Sequence, residues 1–136
     1  MNLTEQQVEF QVQRSIRQNE DDLVLWIQAA LDKTKYGNLE ESQFRNLVRV
    51  ADTTDSVEVI KNFIRYQVGR DRKWGRGKDS LAERIVQDID FNLKKTAQII
   101  AEYSHIDFKP IWIELIRRYL GYGSRYLKYL RDGQNI

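Results

Sequence analysis

Chemistry in a protein of this kind would start from paired acids and bases, and the 136-residue chain offers few of them: one histidine, His105, and no cysteine. The Ser-His-Asp and Cys-His nucleophile systems and the common zinc-ligand sets therefore cannot be assembled, which leaves no catalytic or metal-binding residue to name. His105 sits just before the Asp107–Pro110 helix start and reads as a surface or capping residue. Asp88 and Asp90 stand two apart on a helix, roughly 200° from each other, so they read as solvated carboxylates rather than a metal or proton pair. Neither Gly75-Gly77 nor Gly121-Gly123 lies between a strand and a helix with the spacing of a nucleotide-binding loop. No cofactor is expected.

Basic and aromatic residues remain, and they fall into two clusters. Lys61, Arg65, Arg70, Arg72, Lys73, Arg76 and Lys78 place seven cations in eighteen residues against one acid, Asp71. Phosphates repeat along a strand, so a basic loop beside a basic helix face can follow them without reading sequence. Trp74, in the middle of that loop, is a candidate for stacking on a base. The competing reading is a solvated loop with Trp74 tucked against the domain. In the second cluster Arg117, Arg118, Arg125, Lys128 and Arg131 interleave with Tyr119, Tyr122, Tyr126 and Tyr129, and no acid intervenes between Glu114 and Asp132. Tyr119 and Tyr126 align with Leu115 and Leu130 as core residues, which leaves Tyr122 and Tyr129, with Arg118 and Arg125, as contact candidates.

The elements that must position these clusters are helical throughout. Proline occurs once, and apolar residues recur at three- and four-residue spacings, which predicts an all-α bundle of about five to six helices in a single domain over 1–136. A first helix runs from Thr4 to Arg17 with a thin stripe of Val8, Val12 and Ile16, within an added N-terminal segment, 1–20. The second spans Asp21 to Lys33 and ends at Tyr36-Gly37. A third, after Leu39, carries Phe44, Leu47, Val48 and Ala51. Asp55 and Glu58 have the form of a capping box opening the fourth, through Ile60 and Ile64 to Gly69. The basic loop, 70–79, has a length that is usually functional or mobile. Ser80 and Glu83 open a fifth helix that holds one stripe from Leu81 to Ile100. The last begins at Asp107 and Pro110 and runs towards Gly133, with Gly121 and Gly123 as candidate kinks.

Charge is segregated along this frame. Residues 1–60 hold six Lys/Arg and eleven Asp/Glu, a net of −5, whereas 61–136 hold sixteen and nine, a net of +7. The absence of cysteine suits a reducing compartment, and Met1–Phe10 has neither the basic start nor the apolar block of a secretory signal, so a cytoplasmic protein without a membrane span is expected.

The order of these features resembles the small subunit of type III CRISPR effector complexes in its Csm form, over about residues 21–131. Leu39-Glu40-Glu41-Ser42-Gln43-Phe44-Arg45-Asn46-Leu47 is similar to that family's Leu-Thr-Thr-Ser-Gln-Ile-Arg-Asn-Phe segment. Tyr66-Gln67-Val68-Gly69-Arg70 resembles its Tyr-Ala-x-Gly-Arg turn, and Arg118-Tyr119-Leu120-Gly121-Tyr122 corresponds to its Ala-Tyr-His-Lys-Tyr stretch. Leu120 and Gly121 replace the family's basic pair, and the Thr4–Arg17 helix is extra. The resemblance implies a non-catalytic protein of antiviral defence. Its copies would self-associate in a row along guide RNA and target RNA, beside the large polymerase-nuclease subunit, with Arg45 and Arg70 carried over as contacts. In such a row the acidic first half of one copy could face the basic flank of the next. The alternative is a helical protein-interaction adaptor whose Arg/Tyr helix is the interface and whose basic loop is a solvated rim. An enzyme is a distant third.

Overall fold

Thr4 opens the first helix with a complete capping box, its hydroxyl accepting from the Gln7 amide while the Gln7 side chain accepts from the Thr4 amide, and α1 follows over Glu5–Gln18. The computed structural model describes residues 3–134. Helix α2 spans Glu20–Lys33, α3 Glu41–Thr53 and α4 Val57–Arg70. Helix α3 starts after Leu39 as expected, whereas the cap of α4 differs from the sequence reading. Helix α3 is capped by Glu40 and Gln43 acting reciprocally, and α4 by the Ser56 hydroxyl, which accepts from the Val59 amide. Asp55 stays outside, exposed, and its carboxylate meets Arg117 instead.

Ser80 caps the next rod through the Glu83 amide at 3.1 Å. The rod comprises α5 (Leu81–Asp88), a π-helical turn (Ile89–Leu93) and α6 (Lys94–Ser104). The turn changes the backbone pairing from i+4 to i+5, and its Ile89 carbonyl accepts from the Trp112 indole at 2.8 Å. His105 ends the rod in the left-handed conformation, φ 57°, where its exposed ring needs no partner from the core. Helix α7 then runs from Lys109 to Lys128, with Pro110 in its first turn, and finishes in a second π-helical turn, Tyr129–Gly133. Among the described residues this gives an all-α bundle of six rods without a strand.

Helix α7 is the axis. It packs mainly on α2 and α3, then on α6 and the π turn, while α1 lies against α6 and α4 against α3 and α5. Ile111, Leu115, Ile116, Tyr119, Leu120 and Leu127 supply its buried face. The helix continues through both glycines. A Cβ on Gly123 would stand 2.6 Å from the Ile27 side chain and 2.7 Å from the Phe44 ring, so glycine there lets α7 close onto α2 and α3. Nothing lies within 4 Å of a Cβ built on Gly121. Among the described residues no helix is long and apolar enough to cross a membrane.

Candidate nucleic-acid interface

The last two turns of α4 and the loop behind them carry Arg65, Arg70, Arg72, Lys73, Arg76 and Lys78. Burial of Ile60, Ile64 and Gln67 fixes which way α4 faces, and helical spacing then turns Arg65, Tyr66 and Arg70 outward. Backbone hydrogen bonds tie the loop to itself and to the segment 35–37. Lys73 donates its amide to the Asp71 carboxylate at 2.8 Å, Gly37 donates to the Lys73 carbonyl at 3.1 Å, and Lys35 donates to the Asp79 carbonyl at 2.9 Å. Gly75 has φ 79°, and a Cβ on it would fall 2.2 Å from the Lys35 carbonyl oxygen, so only glycine allows the loop to lie this close to the 35–37 segment.

Trp74 is the main pin: it is tucked against the domain, as the competing reading of the loop has it, and is not open for stacking on a base. Its ring is 1% exposed and stacks on Phe44 with centroids 5.4 Å apart, while its carbonyl accepts from the Ala82 amide at 3.1 Å. A ring so placed has no face left for a base. Burying the largest apolar side chain of the loop against α3 outweighs leaving it in water. The backbone carries the flanking cations outward as a result. Arg65, Arg70, Arg72, Arg76 and Lys78 are exposed and Lys73 is half-buried. None of the six forms an ion pair among the described residues. Lys35, exposed and bridged through its backbone to Ser80, joins them. Sequence reasoning missed it, because the contact that recruits it spans more than forty residues. Beneath Arg65, a groove of about 140 Å³ runs between α4 and α5, floored by Ile64, Val68, Ala82 and Val86.

Other nominated residues are engaged inside the fold. Lys61 is 8% exposed and held by Glu58 and Asp90, each at 3.0 Å. Burial would lower its pKa, but these two carboxylates together raise it. It braces α4 against the π turn and is not available to a phosphate. Arg118 donates to Glu114 at 3.0 Å, Glu20 at 2.9 Å and Gln13 at 3.2 Å, and the Tyr122 phenol donates to Glu20 at 2.8 Å. These bonds tie α7 to α1 and α2, so both residues are corrected from contacts to braces. Arg125 is exposed and lies over the Tyr122 ring at 6.0 Å. Arg45, its side chain 50% exposed, pairs with Glu41 at 3.0 Å in a separate polar groove with Lys128, Arg131 and Asp132. Tyr129 is exposed and stacks on Tyr126.

Asp88 is also corrected. It is 3% exposed and accepts from the Tyr119 phenol at 2.6 Å and from Asn92 at 3.2 Å, with Arg84 at 3.6 Å. Burial raises its pKa above the ordinary carboxylate value, against the lowering effect of those three neighbours. Asp90 points to Lys61 instead, so the two carboxylates do turn apart. Among the described residues no cluster of three or more His, Cys, Asp or Glu side chains could hold a metal ion. No family model, curated protein or solved structure matches the chain.

Proposed function

We propose that the chain is a non-catalytic subunit that holds an RNA backbone independently of sequence, in the manner implied by its resemblance to type III CRISPR small subunits. One observation carries this reading: Arg65, Arg70, Arg72, Lys73, Arg76 and Lys78 follow one another along the end of α4 and the tied-down loop, and none forms an ion pair among the described residues. Cations that have internal partners stabilise a fold, whereas unpaired cations on a fixed backbone are free to replace counterions along a phosphate chain. The pinned loop adds pre-organisation, because less conformational freedom is lost on binding. Copies set in a row would multiply a weak individual grip. Guide and target RNA, the large subunit and neighbouring copies are the partners this assembly implies, in the cytoplasm of a cell defending itself against viruses.

The test is mobility shift of RNAs of unrelated sequence. The reading expects equal affinities for two sequences of one length, both lost together when Arg70, Arg72, Lys73 and Arg76 become alanine. A strong preference for one sequence that survives the substitutions would overturn it.

A protein-interaction role remains as a second reading, favoured by the groove between α1 and α6. There Ile99 and Tyr103 are 57% and 79% exposed, beside a buried Gln11 oxygen that has no hydrogen-bond partner. An adaptor built on that groove would lose its partner on Tyr103→Asp and be indifferent to the four alanines. The Arg/Tyr helix is a poorer interface, since Arg117, Arg118 and Tyr122 are committed internally.

A further inference from the structure

We propose that Tyr66 is a base-stacking platform, so that the basic flank takes unpaired RNA strands in preference to duplex. The inference deepens the phosphate-holding reading and rests on it.

Four of the seven tyrosines spend their hydroxyls inside the molecule: Tyr36 on the Leu31 carbonyl, Tyr119 on Asp88, Tyr122 on Glu20 and Tyr126 on Asp32. Tyr66, Tyr103 and Tyr129 make no such bond among the described residues, and they differ in what surrounds them. Tyr103 follows Glu102 in the α1–α6 groove. Tyr129 leans on Tyr126, beside a Lys128 already paired with Asp132. Tyr66 has two cations without ion pairs, Arg65 next to it and Arg70 one turn on, whereas Tyr103 shares its groove with one, Arg14, and the Arg125 one turn before Tyr129 lies over the Tyr122 ring.

Its ring is 60% exposed, and its inner side rests against Phe63, centroids 6.2 Å apart at 38°. No cation covers its face, in contrast to Tyr36, under Arg131, and Tyr122, under Arg125. Val59, Phe63 and Tyr66 recur at helical spacing on the outer side of α4 and lead to Arg70. A backbone held at Arg65 and Arg70 would bring a base over the phenol. Base–aromatic stacking strengthens the hold on a single strand and asks for no particular base. A duplex keeps its bases stacked on each other and offers the ring nothing but phosphates.

The test irradiates the full chain bound to a single-stranded oligouridylate carrying 5-iodouracil, which crosslinks to an aromatic ring stacked on it, and measures affinities for that strand and for duplex RNA. The expected adduct maps to Tyr66. Tyr66→Ala removes it and weakens the single strand on the order of tenfold, while duplex affinity holds and Tyr66→Phe behaves as wild type. An adduct elsewhere, with Tyr66→Ala binding single strands as wild type does, would overturn the platform and leave phosphate holding intact. No salt-sensitive binding of either RNA by wild type would overturn both. A Tyr66→Ala effect confined to self-association would assign the ring to a protein contact and also overturn the proposal.

Discussion

A tryptophan in the middle of six cations invites the expectation of a stacked base, yet Trp74 faces inward and its neighbours face out. Alternation along an irregular loop carries no period, so which side chain turns to the core depends on where Phe44 waits, and that is a tertiary fact. Trp74→Ala should cost about 3–5 kcal/mol, read as a lowered midpoint of urea unfolding, and should weaken RNA binding although no contact is removed. Unchanged stability would mean that the ring does not pin the loop. Asp88 was equally illegible: nothing in the spacing tells a solvated carboxylate from one that accepts from a buried phenol. Its raised pKa means that the folded chain holds the proton more tightly than the unfolded chain, so stability is gained as pH falls through the folded pKa, and the gain is complete below the ordinary value of 3.8. Asp88→Asn keeps an acceptor for Tyr119 and lacks this gain. The stability difference between variant and wild type should shift in favour of wild type as pH drops from about 7 to about 4. A difference that stays constant over that range would contradict the burial argument.

Helices were the most legible level, because caps and stripes are local. Thr4, Ser80 and Pro110 mark starts where the periodicity also begins, and the apolar faces of α2, α3 and α7 follow from their spacing. The π turn was hidden, though it left a trace. Leu81, Ile85, Ile89, Leu93 and Ala97 recur every four residues, and each such step overshoots an ideal turn by about 40°; the wider π turn brings the stripe back to the core. Gly121 and Gly123 look alike in sequence and differ in role, since only Gly123 meets other helices. Gly123→Ala should cost about 1–3 kcal/mol by forcing α7 from α2 and α3, while Gly121→Ala should be neutral or stabilising, both read by thermal melting. Equal effects would contradict the close approach. Arg117 joins elements too: it donates to the Ala51 carbonyl at 2.8 Å and the Thr54 carbonyl at 2.9 Å, closing the end of α3. Arg117→Ala should cost about 1–3 kcal/mol and expose the last turn of α3 to hydrogen exchange. Unaltered exchange there would argue that α3 holds its own terminus.

At the scale of the whole molecule, folding sorts the segregated charges into two classes. Arg117, Arg118 and Lys61, from the basic half, reach Asp55, Glu20 and Glu58 of the acidic half, so much of the imbalance becomes internal bracing. Among the cations that form no ion pair among the described residues, Arg65, Arg70, Arg72, Lys73, Arg76 and Lys78 follow one another along the end of α4 and the loop. Net charge was readable from the sequence and this division was not, because it depends on which helices become neighbours. Each cation that meets a phosphate of a single strand contributes about 0.7 to the fall of log affinity with log salt, so removing four should flatten that slope by up to about 3. The most direct measurement is therefore single-stranded RNA affinity across a salt series, for wild type and for the variant with Arg70, Arg72, Lys73 and Arg76 changed to alanine. The account predicts steep weakening with salt in wild type, a flatter and weaker curve in the variant, and near-identical melting temperatures; matching slopes for the two proteins would contradict it.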